Sequence, residues 1–296
     1  MDTGRETPDD DTDRRAPVAR RSSRVRVQFS VGTALSRSFS IFVRYLPLWL
    51  LIGVVAHAPV HFYALHKFAD IPADATLLDY QKFAKDMQTT QIVITVMGFL
   101  LTLLVQVFTT HATLVHLEGE RVRIGSSLAA SFARLPGALG TVLLMLLVFA
   151  GIGVIAFLAL GRMPFLLLLL LIPGVMVFFA WFLGPQVAVA ERTDPATSLR
   201  RSATLTKGQR LSLFAGLFLL GILAAVARFV VGKLTGIDLD RMVATDFSPA
   251  RTWLWATAPV DIATTAIGAI FAAVAYRDLR VSKEGVSSKQ LADVFA

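Results

Sequence analysis

Arg228 and Asp261 carry full charges inside long apolar runs of this 296-residue chain. If those runs cross a membrane, both charges are costly there and each is a candidate for function. Arg228 stands near the outer end of one run and Asp261 further into the next. In two antiparallel helices their depths are close enough for an arginine side chain to close the gap. Pairing removes two isolated charges from low dielectric. Such a pair has two readings: an ion pair that locks two helices, or the centre of a wet substrate site. His57 and His61 add to the set. Their spacing of four puts both on one helix face, as in paired metal ligands. No Cys and no neighbouring Glu accompanies them, so the zinc-hydrolase pattern is absent and no metal is expected. They read instead as a polar lining near the outer surface. Pro59 lies between them, and Ala58-Pro59-Val60-His61 echoes Ala258-Pro259-Val260-Asp261. A proline frees a helix carbonyl from its partner, and interrupted helices at corresponding positions point to a transporter site. His57, His61, Arg228 and Asp261 therefore form a candidate intramembrane polar site. A small transporter or lipid translocator is the alternative function it would serve.

Other polar groups suggest less chemistry. Gln106, Thr109, Thr110, His111 and Thr113 are expected to hydrogen-bond between helices. Glu191 lies near Arg192, Arg200 and Arg201, as a capping or ion-pair cluster or as a headgroup contact. There is no phosphate-binding Gly-rich loop with Lys, no dinucleotide fingerprint and no Gly-x-Ser-x-Gly elbow. The absence of Cys excludes disulfides, thiolate metal sites and Cys nucleophiles. No acid, base and nucleophile converge, so a non-enzyme without cofactor is expected. The net charge of +8 and a pI of about 10.2 could suggest nucleic acid. The basic residues lack interleaved aromatics in a soluble module, so no nucleic-acid partner is expected.

The elements that must position these groups follow from composition. Hydrophobic residues make up 55% of the chain and charged ones 17%, with mean hydropathy +0.63. Soluble domains are nearer 45–50% apolar and about 25% charged. The chain therefore reads as an integral membrane protein. A span needs roughly 20 apolar residues, and six are expected, at about 46–65, 91–117, 138–160, 163–189, 211–231 and 252–276. All must be helical. Gly161 and Arg162 alone join spans three and four, and Pro173-Gly174 should kink span four. The first span starts too late for a cleaved signal peptide and is expected to be retained. With both termini on one side, that side carries 21 Lys and Arg and the other seven. The positive-inside rule puts both termini in the cytoplasm. Tyr45, Trp49 and Tyr276 then fall at inner ends as aromatic anchors, and Tyr63, Trp253 and Trp255 at outer ends. Residues 1–26, acidic and then Arg-rich, should be a disordered cytoplasmic tail, residues 27–281 the membrane domain, and 282–296 a second cytoplasmic tail.

One pattern, small-x-x-Leu-x-x-Ser, occurs before each odd-numbered span: Gly32 to Phe39, Gly125 to Phe132 and Ala196 to Ala203. Each copy is followed by a breaker, at Pro47, Pro136-Gly137 and Gly208. Val31, Leu35, Ser38, Phe39 and Phe42 share one helix face, as do Ile124, Leu128, Ser131, Phe132 and Leu135. The third copy has Thr193 or Asp194 as N-cap and Pro195 in its first turn. These helices are too short to span and should lie flat on the cytoplasmic interface, apolar face down. The expected fold is an all-α polytopic membrane protein whose six transmembrane helices form three hairpins. A short interfacial amphipathic helix precedes each hairpin. Arg37, Arg134, Arg200, Arg201 and Lys207 are its candidate lipid contacts.

Pro185, Val187 and Glu191 lead into Ser198-Leu199-Arg200-Arg201-Ser202 and Leu205-Thr206-Lys207-Gly208. Near the end stand Tyr276-Arg277-Asp278-Leu279-Arg280, Lys283-Glu284-Gly285 and Leu291-Ala292. These segments resemble the membrane domain found beside glycerophosphoryl diester phosphodiesterases in some bacteria, and related stand-alone inner-membrane proteins. The resemblance covers about residues 28–293. In that family catalysis belongs to a separate soluble barrel, which nothing here encodes, so the resemblance implies a lipid-linked context and no hydrolase activity. The expected function is a non-enzymatic membrane protein. It associates with membrane lipids, or organises a membrane-protein partner, through its cytoplasmic helices. The charge count carries a direct test, since the chain has no native Cys. In intact cells, a Cys placed in either tail should resist a membrane-impermeant maleimide, and one at position 82 or 241 should be labelled. Labelling of the tails would reverse the topology.

Overall fold

An apolar run in hydrocarbon must satisfy its own backbone polar groups, and a helix does so within one segment. The computed structural model of the protein describes residues 29–69, 77–160, 165–236 and 248–285. Among these, all regular structure is helical: α1 (Val31–Arg44), α2 (Leu46–Ala69), α3 (Leu77–Leu117), α4 (Ile124–Leu160), α5 (Phe165–Trp181), α6 (Gly184–Glu191), α7 (Pro195–Thr206), α8 (Arg210–Thr235) and α9 (Ser248–Glu284). Six stretches are long and apolar enough to cross a membrane, the fourth comprising the end of α5 together with α6. The chain is a polytopic all-α membrane protein. The expected tail at 1–26, the Gly161–Arg162 connection, and the Trp253 and Trp255 side chains lie outside the described residues. The second tail, expected from 282, begins inside α9, which continues to Glu284.

α9 is the central helix. Of its apolar window 61% is buried, against 6% for α4. It packs against α1, α2, α3 and α8. Ile270, Phe271, Val274, Tyr276 and Leu279 form the middle of the largest core. Two neighbours approach it closely because they present glycine. Gly53 of α2 faces Ile262, and Gly216 of α8 faces the Phe271 ring; a Cβ at either position would overlap that side chain.

The prolines do not break their helices. α2 passes through Pro59, α4 through Pro136, α5 through Pro173 and α9 through Pro259. A proline removes one backbone hydrogen bond, and in apolar surroundings the remaining bonds keep the helix intact. The second repeat copy is therefore the start of α4 and not a separate helix. The interruptions expected beside His57, His61 and Asp261 are also absent. Span four breaks elsewhere, at Phe182-Leu183, ahead of Gly184-Pro185. The reason is that the freed groups find partners there. Leu183 N–H donates to Ser202 Oγ at 3.2 Å. The Ala180 carbonyl accepts from Ser202 Oγ at 2.8 Å and from Thr206 Oγ1 at 3.2 Å. Gly184 leaves the room: a Cβ there would meet Leu199 at 2.7 Å and Thr141 at 3.1 Å.

The repeat has a packing meaning. Ser38, Ser131 and Ser202 are fully buried, and so are the small residues four positions earlier, Ala34, Ser127 and Ser198. In α1 and α4 the serine bonds back to its own helix, Ser38 Oγ to the Ala34 carbonyl at 2.7 Å and Ser131 Oγ to the Ser127 carbonyl at 2.6 Å. In α7 it crosses to α5. α1 docks on α9 and α8 with Ala34, Ser38 and Ile41 inward. Phe39 and Val43 remain exposed, as do Ile124, Leu128 and Phe132 at the start of α4. α7 differs from expectation, because Leu199 and Leu205 are buried against protein and its apolar face is not turned to lipid. The expected anchors Trp49 and Tyr276 are likewise core residues, 3% and 2% exposed, with Trp49 edge-on to Phe108. Ser202→Ala strands a buried N–H and should destabilise the protein by about 1–3 kcal/mol. Ser38→Ala removes only a bond within one helix and should stay within about 0.5 kcal/mol. Thermal unfolding of both variants in mild detergent checks the contrast.

Candidate functional site

The outer pair forms. Antiparallel packing of α8 on α9 brings Arg228 Nε to 3.0 Å from Asp261 Oδ1, and Arg228 Nη2 also donates to that oxygen. The side chains are 44% and 35% exposed. His57 and His61 share a face of α2, with ring centroids 6.3 Å apart. Each turns Nδ1 onto the carbonyl four residues back in its own helix: His57 on Gly53 at 2.8 Å, His61 on His57 at 3.0 Å. Those nitrogens are therefore not aimed at a shared ligand. Among the described residues, no three His, Asp or Glu side chains are grouped to hold a metal.

The opposite end of the bundle, where α1 begins and α9 ends, is richer. Glu191, the last residue of α6, accepts from Arg201 Nε at 3.2 Å on both carboxylate oxygens and from the Tyr276 hydroxyl at 2.8 Å. Arg201 reaches on to Glu284. Arg280 Nε donates to Glu284 at 3.3 Å and Arg280 Nη1 to the Tyr276 hydroxyl at 3.3 Å, which closes the circuit. Lys283 Nζ caps the end of α7 through the carbonyls of Thr204 and Lys207, at 2.6 and 2.8 Å. Arg37 on α1 meets Asp278 at 3.0 Å. Asp194 caps the start of α7, accepting from Thr197 N–H at 3.0 Å. Hydrogen bonds from Thr197, side chain first and backbone second, hold the Asp194 carboxyl below its ordinary value. Burial opposes the charge of Arg201, but Glu191, with Glu284 beyond it, raises that guanidinium above its ordinary value.

The five cations expected to touch lipid therefore divide. Arg37 and Arg201 have carboxylate partners within the protein, Arg200 and Lys207 are exposed, and Arg134 lines a cavity. That cavity, about 460 Å³, lies where the inner ends of α3, α4 and α9 meet. His111, Glu118, Arg134, Tyr276, Arg277, Arg280 and Glu284 supply its polar lining. A neighbouring cavity of about 510 Å³ shares His111 and Val115 with it and opens between α3 and the first turn of α4. Neither touches the outer candidates. Thr109 Oγ1, His111 Nδ1 and Thr113 Oγ1 are buried without hydrogen-bond partners. They do not make the interhelical bonds expected of them. Arg192, between α6 and α7, adopts the left-handed conformation with φ 54°. Its charge acts on both His111 and Arg134.

Tyr276 stands out in the sequence only as an aromatic anchor, and Asp278, Lys283 and Glu284 only as members of short motifs, with no charge pattern to mark their partners. Each bonds a residue more than 70 positions away. Comparison of the chain with family models, curated proteins and solved structures finds no match. Since Arg201 keeps Glu284 when Glu191 is lost, the two carboxylates should back each other up. Glu191→Ala and Glu284→Ala should each be mild, and the double variant should cost about 1 kcal/mol more than their sum. A double-mutant cycle by thermal unfolding reads that excess; strict additivity would mean Arg201 does not bridge them.

Proposed function

We propose that the chain is a non-enzymatic multi-pass protein of a bacterial inner membrane, with both termini cytoplasmic. It associates with lipid, or organises membrane partners, through its cytoplasmic helices. The observation that carries this reading is the exposed apolar footprint of the short helix α1 ahead of the first span, at Phe39 and Val43, which the first turns of α4 continue at Ile124, Leu128 and Phe132. A short docked helix with such a face suits the boundary between headgroups and acyl chains. Exposed Arg200 and Lys207 lie on the same side of the bundle and suit anionic headgroups. The lipid-linked context implied by the resemblance to the phosphodiesterase-associated membrane domain agrees with this. Arg228 and Asp261 are assigned a structural role, fastening α8 to α9 near the outer side.

The test uses the two exposed cations, because Arg201 is held by Glu191 and Glu284. Each juxtamembrane cation is worth about 1 kcal/mol near an anionic surface, roughly fivefold in binding. Full-length R200Q/K207Q, purified in mild detergent from cells, should retain several-fold less anionic phospholipid than the wild type. Equal retention, measured by lipid mass spectrometry, would count against the reading.

A further inference from the structure

Resting on that lipid-associated reading, we propose that the cavity between the inner ends of α3, α4 and α9 binds the phosphate group of an anionic headgroup. Arg134 and Arg277 hold the charge and His111 lies at the floor. Three features of the site support this. First, Arg134 Nε and His111 Nδ1 are both buried without a hydrogen-bond partner. A buried polar group left unpaired costs free energy that a bound partner would recover. Both residues border the cavity. Second, the charge is unbalanced. Arg134, Arg277 and Arg280 line the space, and Arg192 adds its field to Arg134 and His111. Against them stand Glu118 and Glu284, and Glu284 is already bonded to Arg201 and Arg280. A confined excess of guanidinium attracts an anion, and the planar fork of an arginine matches phosphate oxygens. Third, the remaining wall is apolar. Leu114, Val115, Ala190 and Val281 offer a surface for the glycerol and first methylenes of a lipid. His111 lies less than two turns from the end of α3, at the end of the bundle that carries the Glu191–Arg201 circuit.

The phosphate could belong to a membrane lipid or to a soluble phosphate compound, and the experiment separates them. Full-length protein is placed in phosphatidylcholine nanodiscs and its thermal midpoint followed. One arm replaces phosphatidylcholine stepwise with phosphatidylglycerol; the other adds inorganic phosphate at millimolar concentration. A saturable rise with phosphatidylglycerol alone assigns the site to a lipid headgroup, and a rise with inorganic phosphate as well assigns it to the phosphate group from either source. R134Q/R277Q should weaken the apparent affinity at least about tenfold, since it removes two charge-assisted contacts. R134K/R277K, keeping charge without the fork, should fall between. If the double Gln variant does not fold, R277Q alone carries the test at a half-buried position. No saturable rise with either probe, or wild-type affinity in the Gln variant, overturns the proposal. The outcome is separable from the interfacial reading. R200Q/K207Q should lower general anionic-lipid retention and leave the saturable midpoint shift in place, and the cavity variants should do the reverse.

Discussion

A backbone carbonyl or N–H released from its helix inside a bilayer has no water to turn to, and the architecture follows from how that demand is met. Span four is interrupted at Phe182-Leu183, and the released groups of Ala180 and Leu183 are taken by Ser202 and Thr206. Those two hydroxyls lie on α7, so α7 must dock against α5 and α6. Docking α7 brings Arg201 to Glu191, and Glu191 in turn orients Tyr276. A single break in one span thereby fixes the position of three helices at one end of the bundle.

The end of α9 completes the arrangement. Asp278 takes α1, Tyr276 takes α6, and Lys283 and Glu284 take α7. The partly exposed ion pairs contribute modestly one by one. Their effect is collective, because Glu191, Arg201, Glu284, Arg280 and Tyr276 share atoms in a closed circuit. The cavity lies beside this circuit, which holds two of its lining residues, Tyr276 and Arg280, in place.

Much of the fold was legible in the sequence. Composition and run length located six spans, because hydrocarbon thickness sets element length with little latitude. The repeat was legible as a pattern, and its buried Ser38, Ser131 and Ser202 explain why the serine recurs. The helix boundaries were less legible. Four prolines pass through continuous helices, and the true break depends on hydroxyls some 20 residues away. The outer pair was visible because an intramembrane charge is conspicuous, and Arg228 does meet Asp261. The circuit at the other end was visible only in part: Glu191 was expected in an ion-pair cluster and does meet Arg201, but Tyr276, Lys283 and Glu284 look like ordinary end-of-span residues until the tertiary structure brings Glu191 and Thr204 alongside. His111 shows the same limit: its type suggested a hydrogen bond, and only packing reveals that Nδ1 is buried without one.

The pairing of Arg37 with Asp278 closes a loop of 241 residues. A ribosome adding about 5–20 residues per second makes the second partner many seconds after the first. Through that interval α1 lacks the ion-pair partner that Asp278 supplies. Ser202 meets Ala180 after only 22 residues, so the middle of the protein can set while α9 is still being made. Closure of this end of the bundle thus waits for its last helix, which carries the partners of α1, α6 and α7.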